Sequence, residues 1–319
     1  MASTKEELLA ALQAAGGGFC SGQALAEQLG VSRAAVNKAA QALQKQGWQL
    51  EAVPRRGYRL AGTADLLCAA ALGPWPAPVY CQEVTDSTNA AAKRLAAEPE
   101  RSPHGTLILA GRQTAGRGRW GRRFESPPGG VYMTLLLRPK LRAVDALAIT
   151  GSAAVAVCRA VETLCGISPG IKWVNDLYYK GKKVCGILTE AASDLDTGAV
   201  EWVAVGIGLN LAVPPQAFGP EVGRIAGSLY PSGSAPVSRA AMAAEIGRQL
   251  LALCPDFDYL AEYRARCFVP GHWVTVSGNG APYSARAIAI DDAGRLVVET
   301  GGRQFALAQG EVSVKPASL

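Results

Sequence analysis

The stretch from Arg112 to Gly130 restricts the fold more than any other part of the chain: Arg-Gln-Thr-Ala-Gly-Arg-Gly-Arg-Trp-Gly-Arg-Arg-Phe-Glu-Ser-Pro-Pro-Gly-Gly. Gly116 to Gly121 match the G-x-G-x-x-G pattern of dinucleotide-binding βαβ units. That fingerprint needs a helix starting within the glycines, so that its N-terminus meets the pyrophosphate. Here Pro127 and Pro128 remove two amide hydrogens and Gly129 and Gly130 follow, so no helix continues. Arginines at the variable positions also bar close backbone approach. A dinucleotide site is therefore excluded. What remains is an arginine-rich loop between two strands, able to fold over an anionic ligand and pair with it bidentately. A solvated basic loop or a second nucleic-acid contact are the alternatives. The glycines at 116, 118, 121 and 130 favour a mobile lid.

The loop also locates the charge. Lysine and arginine total 32 against 26 acids, a net +6. Arg112, Arg117, Arg119, Arg122 and Arg123 fall in one stretch without an acid, and Lys180, Lys182 and Lys183 in another. These eight charges exceed the whole excess, so the basic character is a set of anion sites and not a generally cationic surface. With 319 residues, 49% hydrophobic and 18% charged, the chain has apolar surface for two or three packed domains and is not disordered. The eight cysteines form no CxxC pair and there are two histidines, which argues against zinc. Scattered cysteines read as reduced, buried thiols of a cytoplasmic protein. Glu6 and Glu7 stand where a secretory signal needs basic residues. The most apolar run, Ala146 to Cys158, is 13 residues long, short of the roughly 20 that span a membrane. It reads as a buried helix, and no membrane partner is expected.

Three parts read differently, at 1–62, 63–269 and 270–319. In the first, Leu8, Leu9 and Leu12 mark a helix, Ser21 caps a second and Ser32 a third after the turn Gly30-Val31. Val36, Ala40 and Leu43 face inward in that third helix, which turns Arg33, Asn37, Lys38 and Gln41 outward, as a helix read in a major groove requires. Strand-like Gln49–Val53, the turn Pro54-Arg55-Arg56-Gly57 and Tyr58-Arg59-Leu60 form a wing whose Arg55 and Arg56 can reach phosphates. A helical protein-contact domain is the competing reading. Residues 1–62 carry a net charge of only +3, so DNA affinity would require a dimer on two half-sites. In the middle part, strands are expected at Thr106–Ala110, Val131–Leu137, Val184–Thr189 and Val200–Ile207. Helices are expected at Asn89–Ala97, Ala143–Leu164 and Arg239–Leu253. After Pro270, short alternating segments with glycine and aspartate turns suggest a small antiparallel barrel.

Lys172-Trp173-Val174-Asn175-Asp176 followed by Lys183 places lysines, an amide and a carboxylate on one hairpin. That set suits nucleotide–Mg²⁺ chemistry, although a surface hairpin with charged edges fits equally well. Five motifs then occur in order: Asp86-Ser87-Thr88-Asn89, Gln113 to Arg119, Lys172 to Asp176, Lys183 to Leu188, and Gly206-Ile207-Gly208-Leu209-Asn210. Together they resemble the biotin–protein ligases. The flanking parts resemble the bifunctional bacterial branch, the BirA-type ligase and biotin-operon repressor.

The resemblance implies an α+β multidomain chain: a winged helix-turn-helix, a central α/β ligase domain related to class II synthetases, and an SH3-like C-terminal barrel. It implies ATP and Mg²⁺, biotin as substrate, and biotinyl-5′-AMP as intermediate and corepressor. The implied partners are biotin carboxyl carrier protein, operator DNA and a second copy of the chain. Ser87, Thr88, Gln113, Gly116 and Gly186 would hold biotin, with Arg117, Arg119 and Lys183 both binding it and acting in catalysis. Lys172, Asn175, Asp176, Asn210 and Phe124 would lie at the nucleotide, with Asp176 on the metal. Lys315 would meet phosphates. Trp120 stands where the family carries a small or basic residue, and could cover the adenylate or a dimer interface. Two rivals stay open: a lipoate or octanoate ligase of the same fold, and a metabolite-sensing repressor without turnover.

Overall fold

The computed structural model describes all residues except 1–2, 46, 63–64, 140–145, 194–198, 255, 279, 309 and 315–319. Lys315 and the expected helix start at 143–145 thus lie outside the described residues. The chain divides into two compact units, residues 1–75 with 238–241, and 76–237 with 242–319.

In the first unit, α1 (Thr4–Ala14) is closed by a reciprocal Ser3–Glu6 capping box, and Ser21 caps α2 (Gly22–Gln28). Ser32 Oγ accepts from Ala35 N at 3.2 Å to start α3 (Arg33–Lys45). Gly30 takes the left-handed backbone, φ +64°, that the tight α2–α3 turn demands. Leu8, Leu12, Leu25, Val36, Leu43 and Trp48 make the core. Strands β1 (Gln49–Val53) and β2 (Gly57–Gly62) pair as the wing. The short α4 (Ala69–Leu72) belongs to this unit, and Ala71 packs on its core.

The second unit is built on a seven-stranded mixed sheet. Its chain order is β3 (Val79–Thr85), α5 (Thr88–Ala96), β4 (Thr106–Gln113), β5 (Val131–Leu137), α6 (Ala146–Cys165), β6 (Gly170–Lys172), β7 (Asp176–Tyr179), β8 (Lys182–Ser193) and β9 (Val200–Leu209). Spatially the strands run β3-β4-β5-β9-β8-β7-β6, with β3 and β4 parallel and the other pairs antiparallel. Every residue of β5 is buried, as the continuous apolar run Val-Tyr-Met-Thr-Leu-Leu-Leu requires of a strand covered on both faces. Ala91, Ala92 and Ala96 of α5 pack on Ile108, Leu136 and Ala204. On the opposite face α6 covers the sheet, with Thr150 Oγ1 2.8 Å from Thr189 Oγ1. Helix α6 is long and apolar enough to cross a membrane, but most of it is buried in this core, including Ala153 to Cys158.

After α7 (Val222–Ile225), α8 (Arg239–Leu253) and α9 (Leu260–Arg266) come five short strands: β10 (Trp273–Gly278), β11 (Gly280–Ile290), β12 (Leu296–Thr300), β13 (Arg303–Leu307) and β14 (Glu311–Val314). They form one antiparallel sheet ordered β13-β12-β11-β10-β14. The expected strands are all present, and β3, β6, β7 and β14 are additional. All eight cysteines are free. Four are buried, but Cys20, Cys68, Cys81 and Cys165 are half-buried, so the expectation of uniformly buried thiols needs correcting.

An ion-pair network ties α6 to α9: Arg159 and Arg266 both meet Glu262, and Arg266 also meets Glu162. Burial would raise the Glu262 carboxyl, yet hydrogen bonds from the two arginines hold it below the ordinary glutamate value near 4.5. A lowered folded value means that the stabilisation is complete above about pH 4.5 and is lost as pH falls through the folded value. Glu262→Gln should therefore cost about 1–2 kcal/mol in urea unfolding at pH 7. The cost should shrink toward nothing as pH falls below 4.5; a cost independent of pH would refute the ionic origin.

Candidate active site and nucleic-acid face

The floor of a cavity between β8, β9 and the arginine loop is made by side chains that are missing. Gly186 of β8 and Gly208 of β9 are direct cross-strand partners, as are Leu188 and Gly206, so the three glycines share one face of the sheet. Glycine inside a strand signals close approach of another group. Here a Cβ on Gly208 would lie 2.5 Å from the Phe124 ring, one on Gly186 3.0 Å from it, and one on Gly206 2.2 Å from Asn89 Oδ1. Asn89 cannot step aside. Its Nδ2 donates to Leu188 O and Glu190 Oε2, and its Oδ1 accepts from Thr134. Gly206→Ala should destabilise the fold by about 1–3 kcal/mol in urea unfolding. An alanine variant of native stability would show that the floor can relax.

Over this floor stand the groups of the cavity, whose volume is about 210 Å³. One end is set by the N-terminus of α5. Arg94 forks onto Asp86 and holds its carboxyl far below the ordinary range, and Asp86 in turn accepts from Ser87 N at 2.7 Å. Ser87 caps α5, and Thr88 N and Oγ1 both donate to Gln113 Oε1, at 2.8 and 3.2 Å. Gln113 Nε2 donates to Ser126 Oγ at 2.8 Å, which fixes which end of the amide faces which neighbour.

The arginine loop is a closed hairpin. Arg117 bridges Arg123, Gly118 N donates to Arg122 O, and Phe124 N to Gly116 O. Trp120 at its tip has φ +59° and is 52% exposed, a backbone position that costs a large side chain energy. Arg119 Nη1 donates to Asn175 Oδ1 at 3.1 Å and Nη2 to Gly310 O at 2.8 Å, so one guanidinium ties the loop to the lysine–asparagine motif and to the C-terminal sheet. Asn175 is oriented by its own bond to Ile187 O, at 2.8 Å. The Trp173–Val174 peptide before it is cis. Lys183 Nζ lies 2.6 Å from Asp176 Oδ1 as an ion pair, both half-buried.

The opposite wall is Phe218, Val222, Ile225 and Ala226. Glu125 accepts from Gly219 N, Asn210 Nδ2 donates to Gly227 O, and Lys182 Nζ donates to Gly223 O and Arg224 O, which together hold that wall. Successive residues of a strand alternate sides, so Lys183 reaches the cavity while its neighbour Lys182 anchors the segment behind it.

In the first unit, Arg33, Asn37, Lys38, Arg55 and Arg56 are all exposed. The Arg56 and Arg59 guanidiniums stack on Phe19, at 4.2 and 4.8 Å from its ring centre, and Tyr58 donates to Asn37 Oδ1 at 3.4 Å. The wing is thereby fastened to the third helix.

Residues 81–210 match the biotin/lipoate A/B protein ligase family, and residues 4–59 match an HTH domain. The bifunctional ligase/repressor BirA of Bacillus subtilis is 36% identical over 93% of this chain and 94% of its own length. The biotin–[acetyl-CoA-carboxylase] ligase of Mycobacterium tuberculosis is 32% identical over 72% of this chain and 85% of its own. Among solved structures, the biotin protein ligase from Aquifex aeolicus in complex with biotin and ATP aligns with TM-score 0.61 and 25% identity. That alignment covers 75% of this chain and 98% of the other. The chain belongs to the bifunctional biotin protein ligase/repressor family.

Of the residues expected for a biotin protein ligase, the cavity gathers Ser87, Thr88, Gln113, Arg117, Arg119, Phe124, Asn175, Asp176, Lys183, Gly186 and Asn210. Gly116 does not line it. It lies under the loop, where a Cβ would meet Phe124 O at 2.5 Å. Lys172 lines a separate groove, and Lys182, counted with the anion-binding lysines, is bound to carbonyls instead. Asn89, Glu125 and the wall from Phe218 to Ala226 were not anticipated. The period-two glycines Gly206 and Gly208 carried the signal for the floor; nothing in the sequence pattern marked the wall.

Proposed function

We propose that this biotin protein ligase activates biotin in the described cavity and transfers it to a lysine of biotin carboxyl carrier protein. The observation that carries the reading is that one cavity is lined by Lys183, by the Thr88–Gln113 hydrogen-bonding pair, by Asn210 and by the apolar residues Phe218, Val222, Ile225 and Ala226. Biotin's ureido ring suits the hydrogen-bonding pair and adenosine the apolar wall. In the first step a carboxylate oxygen of biotin attacks the α-phosphorus of ATP, the bond to the bridging oxygen breaks, and pyrophosphate leaves with that electron pair. Lys183, released from Asp176, stabilises charge on the reacting oxygens, with Arg117 and Arg119 as bidentate donors from the loop. In the second step the carrier's lysine amine attacks the carbonyl carbon and AMP departs. The loop keeps water from the adenylate in between.

Mg²⁺ fits as an ion shared with phosphates. Among the described residues no three His, Cys, Asp or Glu side chains come together. Asn210 Oδ1 is a buried acceptor without a hydrogen-bond donor, and Asp176 Oδ1 is a buried oxygen set against the Lys183 ammonium; both residues line the cavity. An ion that keeps most of its ligands from water and phosphate needs one or two such oxygens, and when bound it would neutralise phosphate charge.

Biotinyl-5′-AMP held in the site would act as corepressor, favouring a dimer that reads a two-fold operator through Arg33, Asn37 and Lys38, with Arg55 and Arg56 on phosphates. Carrier and operator place this work in the cytoplasm, away from membranes. Residues 1–62, 63–269 and 270–319 would divide DNA binding, ligation and its support. Biotin-dependent ATP–pyrophosphate exchange tests the ligase half: exchange is expected with biotin, and exchange with lipoate alone would refute it.

A further inference from the structure

Tyr263 of α9 buries a hydroxyl that no step of the ligation uses. The residue is 1% exposed, and its hydroxyl donates to Val174 O at 3.0 Å. A phenylalanine would fill the same space without the cost of taking an O–H out of water. What a tyrosine adds here is the hydrogen bond. Its ring meets that of Tyr259 edge to face at 5.9 Å, which holds the direction in which the hydroxyl points.

Val174 O belongs to the peptide that leads into Asn175, and further bonds hold the same short segment. Phe268 N, just after α9, donates to Ile171 O at 3.1 Å. The Trp173 indole donates to Gly294 O, also at 3.1 Å, in the turn between β11 and β12 of the C-terminal sheet. Ile187 N of β8 donates to Asn175 O at 2.9 Å. The backbone entering Asn175 is thus gripped by α9, by the C-terminal sheet and by β8.

Asn175 is one of the two groups that fasten the arginine loop. Its Nδ2 is spent on Ile187 O, which leaves Oδ1 to accept from Arg119 Nη1 at 3.1 Å. A charge-assisted bond of this kind needs its acceptor at a fixed place, because it weakens steeply with misalignment. A tilt of the Val174–Asn175 peptide would swing the asparagine side chain with it. Neither Tyr263 nor Trp173 lines the cavity, so both act only through the segment they hold. Resting on the ligase reading above, we propose that Tyr263 is a positioning residue. It fixes the Val174–Asn175 peptide so that Asn175 latches the Arg119 loop over biotinyl-5′-AMP, and Trp173 does the same from the C-terminal sheet.

The dissociation rate of bound biotinyl-5′-AMP tests this. The full chain is loaded with labelled biotinyl-5′-AMP and chased with an excess of the unlabelled compound. Only folded molecules hold the label, so a variant that merely populates less folded protein leaves the rate unchanged. Tyr263→Phe should raise the rate about tenfold, the size of one lost hydrogen bond. The bond from Arg119 to Gly310 O remains, so the loop is loosened and not freed. Trp173→Phe should raise the rate as well. Tyr259→Phe removes a hydroxyl from the same ring pair but spares the bond to Val174 O, and should stay within about twofold. Asn175→Ala should raise the rate, and adding Tyr263→Phe to it should change it by less than about twofold more. Unchanged dissociation in Tyr263→Phe overturns the proposal; should that variant not fold, unchanged dissociation in Trp173→Phe does so. A further rise of about tenfold on top of Asn175→Ala also overturns it, since the tyrosine would then act elsewhere. A wild-type chain that does not retain biotinyl-5′-AMP fails earlier, at the ligase reading itself.

Discussion

Lys183→Ala is expected to lower biotin-dependent ATP–pyrophosphate exchange by about 10²–10³-fold, the usual loss when a preorganised donor to developing negative charge is removed. The size follows from its surroundings. Lys183 is half-buried and ion-paired to Asp176, so its ammonium is held in place before substrate arrives. Removing it also leaves the Asp176 carboxylate beside the incoming phosphates without its ion-pair partner. Exchange that persists undiminished in this variant would take the role away from this lysine.

The second large effect concerns DNA. Arg33→Ala together with Asn37→Ala should weaken binding to a palindromic operator from the organism's own biotin genes by at least about 100-fold. Each base contact contributes roughly 1–3 kcal/mol, and a dimer makes each contact twice. Arg55→Ala with Arg56→Ala should act differently. It should weaken binding to any duplex and flatten the salt dependence by about one for each phosphate left without its arginine. Fluorescence anisotropy with biotin and ATP present, across a salt series, separates the two. Unchanged circular dichroism and thermal unfolding show that the variants are folded. Equal affinity of the wild type and both double variants for operator would leave the first unit as a protein-contact domain.

The legibility of this chain in its sequence is uneven for physical reasons. Caps and turns are local, so Ser21, Ser32 and the Gly30 turn are readable, as are Val131–Leu137 and Arg239–Leu253, whose apolar patterns are long and unbroken. Strands β6 and β7 are three and four residues long, too short for a period to show. The motifs identify which residues meet, because chemistry demands those types, but not which way each side chain turns. Lys182 and Lys183 look alike in the sequence; only the register of β8 assigns one to carbonyls and the other to the cavity. Lys172 is expected at the nucleotide, yet the groove that contains it is completed by Phe268 and Ser313, distant in the chain and unmarked by any motif.

The double hold of Arg119 also bears on how the protein is made. Its bond to Gly310 O spans 191 positions of sequence. A ribosome would have synthesised both glycine-floored strands, the arginine loop and Lys183 long before that carbonyl exists. A nascent chain of about 300 residues would carry nearly every side chain of the cavity with its loop fastened on one side only. The loop is therefore fastened on its second side only once the chain has been made through Gly310 and β14 has paired with β10.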